Sequence, residues 1–231
     1  MSSTSGNTIR AANATDNELC VFCHSTHNVS TTRVLWNHAA STVTSYNSGG
    51  TLKTSAGTPL PASMRTETKR CLSCHDGSVE LGSVFNSGGQ ARVIPMTGGA
   101  LVTASGKLND PTYMVGVGGD MSAQHPVGIP YAGQTTGTYN GIKSSAGPAD
   151  GTVGNYYAVQ LGGCQSPSGY CTTAPTTVTN GLLVNLLKDS TGGAYGIECT
   201  TCHDPHNNTN GYFLRILEST GDGLCRSCHV K

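Results

Sequence analysis

The stretch Cys199-Thr-Thr-Cys202-His203, followed directly by Asp204-Pro205-His206, decides how this chain is organised. The same C-x-x-C-H pattern stands at 20–24, 71–75 and 225–229, so the chain has four copies, called here the first to fourth motif in sequence order. Two residues between the cysteines suit one helical turn, which puts both sulfurs on one side. The pattern is the signature of covalent c-type haem attachment, with the adjacent histidine bound to the iron.

Four motifs predict four covalently attached c-type haems (heme C, iron). A zinc interpretation, with two sites of four cysteines each, needs no histidine after each pair, yet a histidine follows all four pairs. The predicted haem-binding cysteines are Cys20, Cys23, Cys71, Cys74, Cys199, Cys202, Cys225 and Cys228, and the predicted proximal iron ligands are His24, His75, His203 and His229.

The composition is poor in the side chains that build an ordinary core. Of 231 residues, 11% are charged and 6% aromatic, and 31 are glycine. Haems are large apolar plates that the chain can wrap, so we expect a mostly irregular fold with short α-helices at the motifs and a few short β-strands, elongated around a row of haems. We expect one tetrahaem domain, 1–231, with two haems in 1–130, a haem-free insertion at 131–195 and two haems in 196–231.

Local patterns predict a few elements. A short helix is expected to run from Asp16 into the first motif, and the apolar spacing in 181–188 favours a packing helix. Runs bounded by Gly, Pro or Asn favour strands. The other predicted elements are a helix over 64–70 and strands over 91–96, 113–117 and 156–161.

Charge and cysteine usage narrow the partners and the compartment. Thirteen basic residues balance thirteen acidic ones without a basic patch, so nucleic acid is not expected as a partner. No apolar run approaches about 20 residues, so no membrane span is expected. Cys164 and Cys171 are left over and bracket a Pro/Gly turn, which favours a disulfide over two unrelated thiols. We expect a secreted chain whose export signal has been removed.

The histidine count points to the sixth ligands. Four of the eight histidines are proximal ligands, and His27, His38, His125 and His206 remain for four distal positions. This match predicts bis-histidine iron throughout. The alternative is that one or two of these histidines are ordinary residues and a methionine serves instead, from Met64, Met96, Met114 or Met121.

Spacing separates these four histidines into two kinds. His27 and His206 each follow a proximal histidine by three residues, so each lies on the proximal side of its own haem and is expected to cap a neighbouring one. His38 and His125 lie far from the motifs and are expected to approach distal faces from loops, and Pro126 disfavours helix at His125. Bis-histidine iron has no open position, which predicts low-potential electron transfer and no enzyme activity.

With these motifs, the Leu-Trp-Asn-His segment (35–38) and the Asp-x-x-x-x-His-Pro-Val-Gly segment (120–128), the chain resembles the doubled-CxxCH multihaem cytochromes of metal-reducing microbes. It is similar in particular to the extracellular cytochrome filaments of the tetrahaem OmcE-like type. That resemblance implies a head-to-tail polymer of identical subunits that passes electrons to redox partners and extracellular acceptors. It also implies that His27 caps a haem of the adjacent subunit, the one at 225–229, and that His206 caps a haem within its own subunit.

Two other functions stay open at this point. A monomeric periplasmic tetrahaem shuttle is one, although such proteins are usually shorter per haem and rich in lysine. A multihaem reductase of the nitrite or hydroxylamine kind is the other. It needs one five-coordinate haem, so one of the four remaining histidines would be idle.

Overall fold

The computed structural model describes residues 9–13, 18–25, 35–54, 57, 59–64, 66–130, 159–160, 184–185, 187–188, 195–215 and 224–225. The chain forms two compact units. The first unit comprises 1–52 and 61–125 and contains the first and second motifs. The second unit comprises 53–60 and 126–231 and contains the third and fourth motifs.

The first unit is built from short elements joined by turns. Strand β1 (Arg10–Ala11) pairs antiparallel with β4 (Met96–Thr97), and β2 (Ser83–Ser87) forms an antiparallel hairpin with β3 (Gln90–Val93). Its helices are α1 (Asn47–Gly50), a single turn with positive φ at every residue, and α2 (Thr66–His75), together with 3-10 turns at Leu19–Phe22, Gly99–Leu101 and Val117–Gly119.

A small apolar cluster lies between the first motif and this hairpin. Its buried members among the described residues are Ala11, Phe22, Val84 and Ile94, with Val21 and Met96 packed against them. Phe22 belongs to the first motif and Val84 to β2, so the cluster fixes the motif against the hairpin. Burial of such side chains stabilises the fold by roughly 1.5–3 kcal/mol each.

The second unit contains five strands and one helical turn in its described part. Strands β5 (Ile129–Pro130), β9 (Tyr195–Ile197) and β8 (Leu187–Lys188) form an antiparallel sheet in that order. Strand β6 (Val159–Gln160) pairs in parallel with β7 (Val184–Asn185), and α3 (Cys199–Cys202) carries the third motif.

Several local expectations can be compared with these elements. The predicted helix over 64–70 is found, but it begins at Thr66 and continues through the second motif to His75. The helix predicted over 181–188 is wrong where the structure describes it, because β7 and β8 lie there. The strand predicted over 113–117 is also wrong, since this stretch consists of turn, irregular and bend residues and ends at the start of the Val117–Gly119 3-10 turn. Its Tyr113 and Met114 amides both donate to the carbonyl of Asp110, as in a helical turn.

Three further local expectations are met in part. Strands β3 and β4 divide the run predicted as one strand over 91–96, and β6 falls within the strand predicted over 156–161. A 3-10 turn, Leu19–Phe22, stands where the short helix from Asp16 was expected. None of the described helices is long and apolar enough to cross a membrane.

Candidate haem-binding site

In each described motif with its cysteines on a helical turn, at least one of the two residues between the cysteines is buried. These residues are Phe22 in the first motif, Leu72 and Ser73 in the second and Thr201 in the third, and each is 1% exposed. The turn is 3-10 in the first motif and α-helical in the other two. The buried residue anchors the turn, so the two thiols and the histidine are held by the fold and remain at its edge.

The three described proximal histidines are held in the same way. Their rings are exposed, and each places Nδ1 against a backbone carbonyl oxygen. The distances are 3.3 Å from His24 to Leu35, 2.8 Å from His75 to Tyr113 and 2.9 Å from His203 to Tyr212. A carbonyl only accepts a hydrogen bond, so Nδ1 donates and the lone pair stays on Nε2, the atom that would bind the iron of a haem.

The first and third motifs are each met by a segment that folds back antiparallel onto the proximal histidine. We call these the fold-back segments, 35–37 and 213–215. His24 forms a β-bridge with Trp36, and His203 forms the corresponding bridge with Leu214. The first residue of each segment, Leu35 or Phe213, has a positive φ of 59° or 56°. The two motifs in which a further histidine follows the proximal one by three residues therefore share the same antiparallel fold-back.

The last residue of each fold-back segment clamps its motif. The backbone amide of Asn37 donates to the carbonyl of Cys23, and that of Arg215 donates to the carbonyl of Cys202, at 2.9 Å in both cases. Each acceptor is the second cysteine of its own motif. The Asn37 side chain donates to the carbonyl of Val21 at 2.6 Å, and Arg215 Nε donates to that of Thr200 at 2.8 Å. Val21 and Thr200 are equivalent, because each directly follows the first cysteine of its motif. An asparagine and an arginine side chain therefore make the same contact in the two motifs.

The clamps differ in what else they bind. Asn37 is fully buried and also exchanges hydrogen bonds with the backbone of Asn86, which follows Phe85 in β2. Arg215 instead lies 3.6 Å from the carboxylate of Asp204, directly after the third proximal histidine. Asn37 thus connects the first motif to the β2–β3 hairpin, whereas Arg215 contacts the third motif through an ion pair with Asp204.

The second motif is supported by a separate segment and by a buried carboxylate. Val115 donates its amide to the carbonyl of His75 at 2.9 Å, next to the Tyr113 contact. Asp76, 2% exposed, accepts hydrogen bonds from Tyr46 at 2.9 Å, from the backbone of Ser78 at 2.8 Å, and from Ser41. Burial raises the pKa of Tyr46 to about 12.

Two of the motif cysteines, Cys23 and Cys74, have raised thiol pKa values, unlike the cysteines of a redox dithiol. The seven in the described residues are thiols: Cys20, Cys23, Cys71, Cys74, Cys199, Cys202 and Cys225. Burial raises the pKa of Cys74 to about 12, with a smaller contribution from nearby Cys23, and burial also raises the pKa of Cys23. Reactive CxxC pairs depend on a lowered thiol pKa.

His38 lies among these groups and is fully buried. Its Nδ1 is 2.8 Å from the carbonyl oxygen of Ala39, and its Nε2 is 3.2 Å from that of Leu81 and 3.5 Å from Sγ of Cys74. Burial lowers the pKa of the imidazole, so the ring is neutral at neutral pH and has one N–H for two carbonyl oxygens. The shorter contact assigns that proton to Nδ1 and leaves the Nε2 lone pair facing Cys74.

The other predicted distal histidines have different surroundings. His125 is exposed at the end of the first unit. His206 is also exposed, and its Nδ1 lies 3.6 Å from the carboxylate of Asp204. His27, Cys228 and His229 lie outside the described residues, as do Cys164 and Cys171. Within the described part of the chain, no group of three or more His, Cys, Asp or Glu side chains is arranged to hold a metal ion by itself.

Comparison with known proteins adds one match. A family pattern described as the doubled CXXCH motif matches residues 193–231, which contain the third and fourth motifs. The pattern indicates a multihaem c-type cytochrome. A comparison with curated proteins gives no match to the chain. The motif residues fit c-type haem, because paired thiols and an Nδ1-anchored histidine, with Nε2 left as the atom that would bind iron, recur at the first three motifs.

Sequence reasoning missed the residues that support the site. Asn37 lies beside the predicted ligand His38 in the Leu-Trp-Asn-His segment. Its side chain binds a residue 49 positions away, so no local pattern marks its role. Tyr113 acts through its backbone carbonyl, which any residue type could supply. A polar residue after CxxCH, as in Asp76 and Asp204, was the one local signal available.

Proposed function

We propose that the chain carries one c-type haem at each motif, four in all, and transfers electrons between them without catalysing a reaction on a substrate. When bound, haem iron supplies reversible one-electron chemistry. The observation that supports this most directly is the hydrogen bond from Nδ1 of the proximal histidine to a backbone carbonyl, which three separate motifs share. This bond fixes the ring tautomer and makes Nε2 a stronger iron ligand.

Closeness of the motifs supports transfer rather than isolated haem binding. In the first unit, the amide of Asn37 donates to the carbonyl of Cys23 in the first motif, and Nε2 of the adjacent, fully buried His38 lies 3.5 Å from Sγ of Cys74 in the second. Four remaining histidines match four distal positions, and neutral imidazole is a favoured iron ligand. With both axial positions filled by histidine, the irons would be closed to substrates and have low reduction potentials.

The haem number and the ligation are tested on the native holoprotein. The mass of the intact chain and its pyridine haemochrome absorbance should give four haems per chain, one for each motif. Electron paramagnetic resonance of the ferric protein should show low-spin iron alone, and carbon monoxide should not bind to the reduced protein. Fewer haems would contradict the proposed haem number. A stoichiometric high-spin signal would contradict the proposed ligation and favour the reductase.

We further propose that the protein is secreted and forms the subunit of a conductive filament, in which His27 caps a haem of the adjacent subunit. Support comes from the resemblance carried by the motifs and by the 35–38 and 120–128 segments. A head-to-tail contact that does not close generates a filament. Negative-stain electron microscopy of native material from outside the cells should show thin unbranched filaments. Uniform small particles would favour the monomeric shuttle.

A further inference from the structure

The position of His38 excludes it as the distal ligand of the first-motif haem. His24 and Trp36 are opposite each other in an antiparallel bridge, and their rings meet edge to face at 6.5 Å. Successive extended residues alternate sides, so His38, two residues after Trp36, lies on the same face as His24. Such diagonal neighbours are about 7–8 Å apart. Two axial imidazoles must approach one iron from opposite faces of the macrocycle, which side-by-side residues cannot do.

Its ring nitrogen faces the second motif instead. Nε2 of His38 lies 3.5 Å from Sγ of Cys74, one of the two atoms to which the second haem would be attached. The Nδ1 proton is directed to the carbonyl of Ala39, so the ligand atom is the one near Cys74. The proximal histidines are arranged in the same way: Nδ1 donates to a backbone carbonyl and Nε2 is left as the ligand atom.

His38 and His75 are held by different segments of the first unit. His75 is anchored to Tyr113 and Val115, through its ring and its carbonyl respectively. His38 is held by the hydrogen bond from its Nδ1 to the carbonyl of Ala39 and by its bridge to Val84 of β2. Two imidazoles that ligate one iron need independent supports of this kind, because they approach the iron from opposite faces of the haem.

We propose that His38 is the distal iron ligand of the second-motif haem, although its own segment folds back onto the first motif. The proposal rests on the bis-histidine function proposed above and assigns one ligand pair within it, His75 with His38. It also makes the Leu-Trp-Asn-His segment a structural bridge: Asn37 clamps one haem motif and His38 ligates the haem of another. The distal ligand of the first haem must then come from elsewhere.

Removing the imidazole tests whether His38 is a ligand at all. In ferric His38→Ala holoprotein, one haem per chain should become high-spin, and added imidazole should return that signal to low-spin. Val84→Ala is the matched control, because it truncates a buried neighbour of His38 and should leave all iron low-spin. If His38→Ala remains fully low-spin while the native protein is low-spin, this proposal is overturned and the bis-histidine function stands.

Removing the second haem tests which haem His38 ligates. In a Cys71→Ser/Cys74→Ser variant, the further change His38→Ala should add no high-spin iron. A new high-spin haem in that background would assign His38 elsewhere and overturn the proposal. If the double-serine variant does not fold, a cryo-electron microscopy map of the native holoprotein decides the pairing, since the second-haem iron must show density continuous with His38 Nε2. A high-spin signal already present in native protein would instead contradict the proposed function.

Discussion

At the residue scale, one hydroxyl group of the first unit has a measurable role. Tyr46 is 1% exposed and donates its hydroxyl hydrogen bond to Asp76 at 2.9 Å. Tyr46→Phe should lower the free energy of unfolding by about 1.5–3 kcal/mol at neutral pH, because a buried carboxylate loses a donor. Chemical denaturation of the holoprotein measures this. Tyr113→Phe is the control, since its side chain is exposed and the change should cost less than about 0.5 kcal/mol.

The same residue gives an alkaline pH dependence. Burial raises the pKa of Tyr46 to about 12, whereas the unfolded chain has a value near 10. From about pH 10 to 12 the unfolded chain loses this proton and the folded chain keeps it, so the contribution of Tyr46 to stability is full below that window and is lost across it. The stability difference between native protein and Tyr46→Phe should therefore shrink by roughly 1.4 kcal/mol per pH unit there. A difference that stays constant across this range contradicts the raised pKa.

Residue patterns revealed some of this site and not the rest. The ligand and thioether residues follow a fixed local spacing, so the sequence predicts them directly. The carbonyls of Leu35 and Tyr113 and the amide of Asn37 act through tertiary contacts that leave no local pattern. In 181–188, periodicity favoured a helix, but short apolar runs do not distinguish helix from strand, and pairing with β6 and β9 decided the outcome.

At the element scale, the fold-back segments should act as separate clamps. Asn37→Ala removes the side-chain bonds to Val21 and Asn86, and should cost about 1–3 kcal/mol for each buried group left without its partner. Hydrogen exchange should become faster at residues 21–24 and 36–38, and remain unchanged at 213–215. Asn109→Ala is the control, because its hydrogen bond to Ala100 is exposed. Equal loss of protection at 213–215 would show that the clamp is not local.

The hairpin that supports Asn37 depends on a close approach of two backbones. Ile94 donates its amide to the carbonyl of Gly82 at 2.8 Å, and a Cβ at Gly82 would overlap the carbonyl of Ile94. Gly82→Ala should lower the thermal midpoint by several degrees, since a shift at Ile94 disturbs the apolar cluster. Gly88→Ala in the hairpin turn meets no atom, so it should cost only about 1 kcal/mol for its φ of +66°. Equal effects of the two changes would exclude steric contact as the cause.

At the scale of the whole molecule, the apolar cluster around Phe22 is small in the part of the chain that the structure describes. The cluster around Phe22 has four buried members in the described part, and large apolar side chains such as Leu35, Tyr113 and Tyr212 are exposed. These three residues are also the ones whose carbonyls hold the proximal histidines. Apolar surface is therefore concentrated where haem would bind, so cofactor attachment and folding are expected to be one process.

Assembly is the property that a single substitution at His27 tests. We propose His27 as an iron ligand, and its spacing of three residues after the first proximal histidine favours the iron of another haem. If that haem is in the next subunit, His27→Ala should create one high-spin iron per chain and abolish filaments in negative-stain images. His27→Met should restore a sixth ligand, and with it low-spin iron, a higher potential at one haem and filaments. Filaments of normal length formed by His27→Ala would rule out the cross-subunit ligand while leaving the four-haem electron carrier intact.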